Sequence, residues 1–231
     1  MNKKTVIGVL VAIVLVVIIG VVYFTSSNEK SGENNKILEN QTPNKVDKNS
    51  KFLVVYFSVP ETDNPNNMTR DEDNSVVVVD GKVLGNTEYV ASLISEKMNS
   101  DLFRLEPKDA YPTDHQQLLA RAREEMQNDV RPELKEKIDI SDYDTIFVGY
   151  PIWNADLPPV INTFLENNDF SGKTVVPFCT HGGSGLSGTP QTIKNKLSGA
   201  NVITNGFDIY RTDMESAPDE VDNWLKELGV N

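Results

Sequence analysis

Residues 144–150 read Asp144-Thr-Ile-Phe-Val-Gly-Tyr150, an apolar run that is typical of a β-strand buried on both faces. Two other runs have the same character, Phe52-Leu-Val-Val-Tyr-Phe57 and Thr174-Val-Val-Pro-Phe-Cys179. Segments with apolar residues at helical spacing lie between and after them. Buried strands that alternate with amphipathic helices predict an α/β fold, in which a doubly wound parallel sheet carries helices on both faces.

The remaining predicted elements continue this alternation. Two further strands are expected at residues 102–105 and 207–210. The C-terminal helix should begin at a capping box, Ser216-Ala-Pro-Asp219, and end at Gly229. The other predicted helices cover residues 86–98, residues 114–127, a segment opened by Pro158 and Pro159, and residues 191–197.

A 26-residue insert, residues 59–84, separates the first strand from the first helix. Its second half reads Val76-Val-Val-Val79, Asp80-Gly81 and Lys82-Val-Leu84, which predicts a β-hairpin with a type I′ turn. Its first half, residues 60–75, is polar and acidic. We expect the hairpin to project from the fold and the chain to return to the sheet at Gly85.

The N-terminal segment predicts a membrane anchor. Residues 5–24 form an apolar run of 20 residues, which as a helix would span about 30 Å of bilayer. Lys3 and Lys4 precede it in a short cytoplasmic stub, residues 1–4, so the positive-inside rule places the following domain outside the cytoplasm. The alternative is a signal peptide that is cleaved near Thr25-Ser26-Ser27, which would release a secreted domain.

Residues 25–50 are polar and predict a flexible linker, so the folded domain should cover residues 51–231. From Lys51 onward, 16 Lys and Arg stand against 30 Asp and Glu, a net charge of −14. Such a charge repels nucleic acid and favours a partner protein with a basic docking surface. The sequence has one cysteine, Cys179, so no intramolecular disulfide can form. Its two histidines, His115 and His181, do not have the spacing that is typical of metal ligands.

Three loops should form a ligand site, because ligands of open parallel sheets bind beyond the carboxyl ends of the strands. The first runs from Ser58 to Gly85-Asn86-Thr87, where a helix N-terminus and hydroxyl groups suit a phosphate. The second, Tyr150-Pro-Ile-Trp-Asn154, offers Trp153 for stacking on a flat ligand. The third, Thr180-His-Gly-Gly-Ser-Gly185, offers bare amides and small hydroxyls.

On these residues the sequence resembles the flavodoxin-like family, and the branch of short flavodoxin-type proteins in particular. The resemblance extends over about Phe52 to Gly229 and includes Tyr111-Pro112. It implies a five-stranded sheet of order 2-1-3-4-5 with FMN across the strand ends. The long insert departs from the family pattern, in which the phosphate loop is compact, and the third loop carries no aromatic residue, so the flavin ring should be stacked on one face only.

By carry-over from the family, each loop would hold one part of the cofactor. Ser58, Gly85, Asn86 and Thr87 would hold the phosphate. The ring would be lined by Pro151, Ile152, Trp153 and Asn154, and its pyrimidine edge would be bound by Thr180, His181, Gly182, Gly183, Ser184 and Gly185.

The function expected from this resemblance is electron transfer by an FMN-binding protein in a redox chain. An FMN-dependent NAD(P)H quinone or metal reductase is the alternative within redox chemistry, and a membrane-tethered binding module that has lost the flavin is the alternative outside it. We expect no catalytic acid or base, because the flavin performs the electron chemistry. Cys179 should be a buried hydrophobe and His115 a surface residue, whereas His181 could sense the flavin charge or support a turn.

Overall fold

The computed structural model describes residues 45–66, 68–70 and 75–230, all within the unit Pro43–Asn231. The predicted membrane helix at residues 5–24, the stub before it and most of the predicted linker lie outside the described residues. Within the described part of the chain, no helix has both the length and the apolar character that a membrane crossing requires.

The centre of the domain is a parallel sheet with the strands β1 Phe52–Tyr56, β4 Asp101–Arg104, β5 Thr145–Pro151, β6 Thr174–His181, β7 Asn201–Val202 and β8 Phe207–Tyr210. Its order is β4-β1-β5-β6, extended at the far edge by β7 and β8. Both edge segments pair with β6, β7 near its start and β8 near its end, so together they fill the fifth strand position. The predicted order 2-1-3-4-5 is confirmed.

Within the described residues, five helices cover the two faces of the sheet: α1 Asn86–Met98, α2 His115–Gln127, α3 Pro159–Glu166, α4 Thr189–Lys196 and α5 Ala217–Leu228. The side chains of β1 show why its sequence is apolar throughout. Leu53 and Val55 pack into the core that includes residues of α2, α3 and α4, whereas Val54 and Tyr56 pack into the core shared with α1 and α5.

The insert contains the predicted hairpin, β2 Val76–Val79 paired antiparallel with β3 Lys82–Gly85. Asp80 and Gly81 both have positive φ angles, 50° and 76°, as a type I′ turn requires. The hairpin forms a separate two-stranded sheet and ends directly at the start of α1. The insert therefore leaves the order of the main sheet unchanged.

Three local features differ from the sequence-based expectation. Val46 is buried, and its amide donates to the carbonyl oxygen of Leu228, so packing begins four residues before the predicted linker ends. The predicted capping box at Ser216 does not form, because Ser216 already has helical φ and ψ and its hydroxyl contacts Glu220 and the Asp213 carbonyl. The two-residue strand β7 is too short for a periodicity to predict.

Candidate functional site

A pocket of about 230 Å³ lies at the carboxyl ends of β1, β5 and β6, at the edge of the sheet that the sequence predicted. It brings residues of all three predicted loops together. From those loops the lining contains Ser58, Asn86, Thr87, Pro151, Ile152, Trp153, Thr180, His181 and Gly182. Side chains that the sequence did not single out for the site complete it, namely Val59, Glu61, Ser75, His115, Leu118, Leu119 and Arg211.

One end of the pocket, here called the α1 end, is formed where the chain returns from the insert to the sheet. Gly85 lies against Ser58 so closely that a Cβ on Gly85 would be 2.1 Å from Ser58 Oγ. The buried Ser58 side chain therefore lies beside the first turn of α1. Asn86 begins this helix, and its amide donates to the Ser75 carbonyl at 2.9 Å. Apart from that bond, the amides of a first helical turn have no acceptor inside the helix, which suits an anion.

Thr87 is buried at this end and is not a helix cap. The N-cap position of α1 is Gly85, and no side chain caps the helix. The hydroxyl of Thr87 instead lies 2.7 Å from the hydroxyl of Thr180, the first residue of the third loop. This contact joins the start of α1 to the end of β6, so the first and third loops meet at one point.

A second part of the pocket, here called the Trp153 end, is formed by a tight turn. Trp153 and Asp156 exchange two backbone hydrogen bonds, of 3.1 and 2.9 Å, around Asn154 and Ala155. Those two residues have φ angles of 47° and 61°, so the turn has the positive φ pattern of type I′. The turn presents the half-buried Trp153 ring to the pocket.

The Trp153 ring is held edge-to-face by two other aromatic rings. Its centroid lies 5.3 Å from that of Phe57 and 5.0 Å from that of Tyr111, with interplanar angles of 80° and 85°. Such contacts fix the orientation of the indole. Phe57 also packs edge-to-face on Tyr111 at 5.6 Å, so the three rings form a closed cluster. Trp153 therefore both packs on the core and lines the pocket.

Tyr111 is fixed in turn by helix α2. Its hydroxyl donates to Glu125 Oε2 at 2.5 Å, and the guanidinium of Arg121 lies 4.4 Å from the centroid of its ring. Arg121 also donates to Glu125 and to the carbonyl oxygens of Asp109 and Ala110. Burial, together with the hydrogen bond to the Glu125 carboxylate, raises the pKa of Tyr111 far above its ordinary value. Tyr111 is therefore a neutral hydrogen-bond donor throughout the physiological range.

The third loop is ordered by hydrogen bonds within and beneath it. His181 Nδ1 accepts the Gly183 amide at 2.9 Å, so the ring proton is on Nε2, which faces Asp208 Oδ2 at 3.0 Å. The bond to Gly183 gives His181 a role in holding the turn. Cys179 is buried below the loop, and burial strongly raises the pKa of its thiol, as expected of a small hydrophobe.

Some predicted site residues shape the loops without lining the pocket. Asn154 is at the tip of its turn and donates to Met126 Sδ at 3.5 Å. Gly85 faces Ser58, while Gly183 and Gly185 adopt φ angles of 120° and 56°. Neither these four residues nor the exposed Ser184 are among the lining residues.

The sequence-based prediction missed three ionisable groups of the pocket, namely Glu61, Arg211 and His115, and the last of these, expected at the surface, is half-buried. Glu61, from the acidic half of the insert, is buried, and its carboxylate lies 3.0 and 3.1 Å from Nδ1 of His115 at the start of α2. Arg211 directly follows β8. Applying the strand-end rule to the last strand would have identified Arg211, whereas nothing in the insert indicated that Glu61 folds back onto α2.

The chain belongs to the flavodoxin family. A family model with the description Flavodoxin matches residues 75–228, which is well over half of the chain. No curated protein sequence matches the chain significantly. Within the described residues, no cluster of three or more His, Cys, Asp or Glu side chains could hold a metal ion.

Solved structures agree with this assignment. A proposed flavoprotein from Bacteroides eggerthii is 30% identical, with a TM-score of 0.58 over 79% of this chain and 100% of the other. A second, from Bacteroides uniformis, is 29% identical, with a TM-score of 0.57 over 74% and 97% of the two chains. A flavoprotein from Lactobacillus acidophilus in complex with FMN is 22% identical, with a TM-score of 0.52 over 76% and 98%, and shows the same fold.

Proposed function

We propose that this domain binds FMN across the carboxyl ends of β1, β5 and β6 and carries electrons in a redox chain. The proposal rests on one observation: the start of α1, Trp153 and residues 180–182 all line the same pocket. The similar Lactobacillus acidophilus protein, whose structure contains FMN, supports the choice of cofactor.

Two features of the pocket fit a flavin phosphate. The contact between Gly85 and Ser58 leaves no room for a Cβ and brings a hydroxyl to the first turn of α1. Arg211 supplies positive charge to the same pocket, and its Nε is buried with no hydrogen-bond partner among the described residues. A buried donor of this kind costs free energy unless a ligand satisfies it, which favours an anionic group at this position.

When bound, FMN supplies one- and two-electron transfer chemistry, and the protein supplies orientation and electrostatics. Ser58, Asn86 and Thr87 would hold the phosphate at the α1 end. Pro151, Ile152 and Trp153 would line one face of the ring, with the indole fixed by Phe57 and Tyr111. The backbone of the segment from Thr180 to Gly182 would face the pyrimidine edge and exclude water from it.

The role of electron carrier, rather than reductase, rests on the charge and on the N-terminal sequence. The net charge of −14 from Lys51 onward suits a basic docking surface on a redox partner. The lysines before the apolar run favour a single-pass anchor with the domain outside the cytoplasm. There it would be separated from cytosolic NAD(P)H, so its electrons would come from a membrane-bound or extracytoplasmic donor.

Protease added to intact cells, with any cell wall removed, tests this placement. The domain should be digested while a cytoplasmic control protein stays intact. If the domain is protected until the membrane is broken, the topology is reversed and a reductase that uses cytosolic NAD(P)H becomes the better assignment. A domain found free in the medium would indicate the cleaved, secreted form. Rapid NAD(P)H oxidation by the purified, FMN-loaded chain would also favour the reductase.

A further inference from the structure

Arg211 lines the pocket from the loop between β8 and α5. Its carbonyl oxygen accepts a hydrogen bond from the side-chain amide of Asn86 at 3.3 Å, which ties this loop to the start of α1. Its own amide donates to the carbonyl oxygen of His181 at 2.9 Å. The backbone of Arg211 is therefore fixed to both the first and the third loop.

The guanidinium of Arg211 lies against the bare backbone of Gly182. A Cβ on Gly182 would be only 3.1 Å from Nη1 and 3.4 Å from Cζ of this side chain. The glycine thus leaves room for the guanidinium beside the pocket. Arg211 shares the pocket lining with Asn86, Thr87, Thr180 and Gly182.

The surroundings of Arg211 differ from those of other arginines in this acidic domain. Arg104, Arg121 and Arg131 each approach at least one carboxylate within 4 Å. Arg104 Nε and Arg211 Nε are both buried without a hydrogen-bond acceptor in the described part of the chain. Arg104 Nε nevertheless lies 3.8 Å from the Glu106 carboxylate, whereas no carboxylate of the described residues lies within 4 Å of the Arg211 guanidinium. A partly buried guanidinium beside a pocket is stabilised by an anion, and its fork of donors suits the oxygens of a phosphate.

We infer that Arg211 is the residue that makes the pocket select phosphorylated flavin, by pairing its guanidinium with the phosphate monoester of FMN. This inference rests on the proposed function and adds to it a specificity-determining cation. The phosphate of FMN carries nearly two negative charges at neutral pH, and the net charge of −14 of the domain repels it. The positive charge of Arg211, in the pocket that also contains Asn86 and Thr87, offsets that repulsion.

The test measures dissociation constants of FMN and riboflavin for the full chain, purified in detergent, by quenching of flavin fluorescence. The wild-type chain should bind FMN more tightly than riboflavin. Arg211→Gln should weaken FMN binding by about 10- to 100-fold, the range for one or two charge-assisted hydrogen bonds, and change riboflavin binding by less than about twofold. Arg211→Lys, which keeps the charge, should recover part of the loss.

Arg123→Gln is the matched control, because it makes the same change of charge at an exposed site on α2 outside the pocket lining. It should leave both affinities within about twofold of wild type. Equal losses of FMN and riboflavin binding in Arg211→Gln would overturn the inference about Arg211. They would not contradict the proposed function, because the wild-type chain would still bind FMN. A wild-type chain that binds neither flavin would instead contradict the proposed function.

A second measurement uses the wild-type chain alone, in case Arg211→Gln does not fold. Phenylglyoxal modifies accessible guanidinium groups, and peptide mapping by mass spectrometry reports the extent at each arginine. FMN should protect Arg211 several-fold more than riboflavin does, whereas Arg123 should react equally under all conditions. Modification of Arg211 that does not depend on FMN would overturn the inference.

Discussion

At the α1 end of the pocket, polar groups stand on regular secondary structure, whereas at the Trp153 end an aromatic ring is carried on a turn. Thr87 is in the first turn of α1 and Thr180 is in β6, and their hydroxyls are 2.7 Å apart. Trp153 depends on packing against Phe57 and Tyr111. The comparison suggests a division of roles, in which the α1 end recognises the charge of the cofactor and the Trp153 end recognises its flat ring.

The largest effect on binding is expected from Thr87→Ala. Loss of a charge-assisted hydrogen bond should weaken FMN binding by about 1.5–3 kcal/mol, while riboflavin binding should change little. Thr87→Ser, which keeps the hydroxyl, is the control and should retain most of the affinity. Titrations of both flavins followed by fluorescence measure this. If Thr87→Ala weakens both flavins equally, the hydroxyl serves the Thr180 contact alone and the division of roles is wrong.

A smaller effect, on stability, is expected from Tyr111→Phe at the other end. The change removes the buried hydrogen bond from the Tyr111 hydroxyl to Glu125, whose carboxylate still accepts a hydrogen bond from Arg121. Loss of the buried bond should lower the free energy of unfolding by about 1–2 kcal/mol. Tyr143→Phe is the control, since its hydroxyl bonds Asp101 at an exposed site. Urea denaturation should show a clearly smaller loss for Tyr143→Phe. Equal losses would mean that Tyr111 does not hold the aromatic cluster in place.

Trp153→Leu should weaken the binding of FMN and riboflavin alike, by about 0.5–1.5 kcal/mol, because an aromatic stacking contact is lost while the phosphate site is unchanged. It should also partly restore the fluorescence of bound flavin and shift its redox potential. Trp224→Leu is a control for the loss of a tryptophan, since Trp224 packs in the other core cluster. Unchanged affinity, spectrum and potential in Trp153→Leu would show that the indole serves packing only.

The smallest effect is expected from Asp222→Asn, which removes an exposed ion pair between α5 and the last turn of α1. Hydrogen bonds from Lys226 and Lys97 lower the pKa of Asp222 to about 2. A lowered pKa means that the stabilisation is complete above the ordinary carboxyl pKa and is lost as the pH falls through about 2. Urea midpoints of variant and wild type should therefore differ slightly at pH 7 and converge near pH 2. A difference that persists at pH 2 would contradict this origin.

The fold could be predicted because its signals are local. Buried strands of a parallel sheet are apolar at every position, as in residues 52–57, and Asp80-Gly81 is a strong turn signal that the φ angles confirm. The capping box at Ser216 failed because its residue pattern does not fix the backbone angles of Ser216, which are already helical. The short β7 carries no periodicity of its own and depends on pairing with β6.

The site was predicted where it depends on strand ends and was missed where it depends on long-range contacts. The strand-end rule located Ser58, Thr87, Trp153 and Thr180, all of which line one pocket. The Glu61–His115 contact joins the insert to α2 across 54 positions, and no local pattern encodes such a distance. Asn154 was placed at the ring by analogy, but the tight turn directs its amide to Met126.

The central claim is that the domain by itself binds one FMN, and a titration of residues 43–231, without the preceding segment, tests it most directly. This boundary keeps Val46, whose amide bonds the Leu228 carbonyl. Circular dichroism first establishes that the truncated chain is folded. Visible absorbance after incubation with FMN and removal of free flavin should then show one FMN per chain. A folded domain that retains no flavin would contradict the account and favour a binding module without the cofactor.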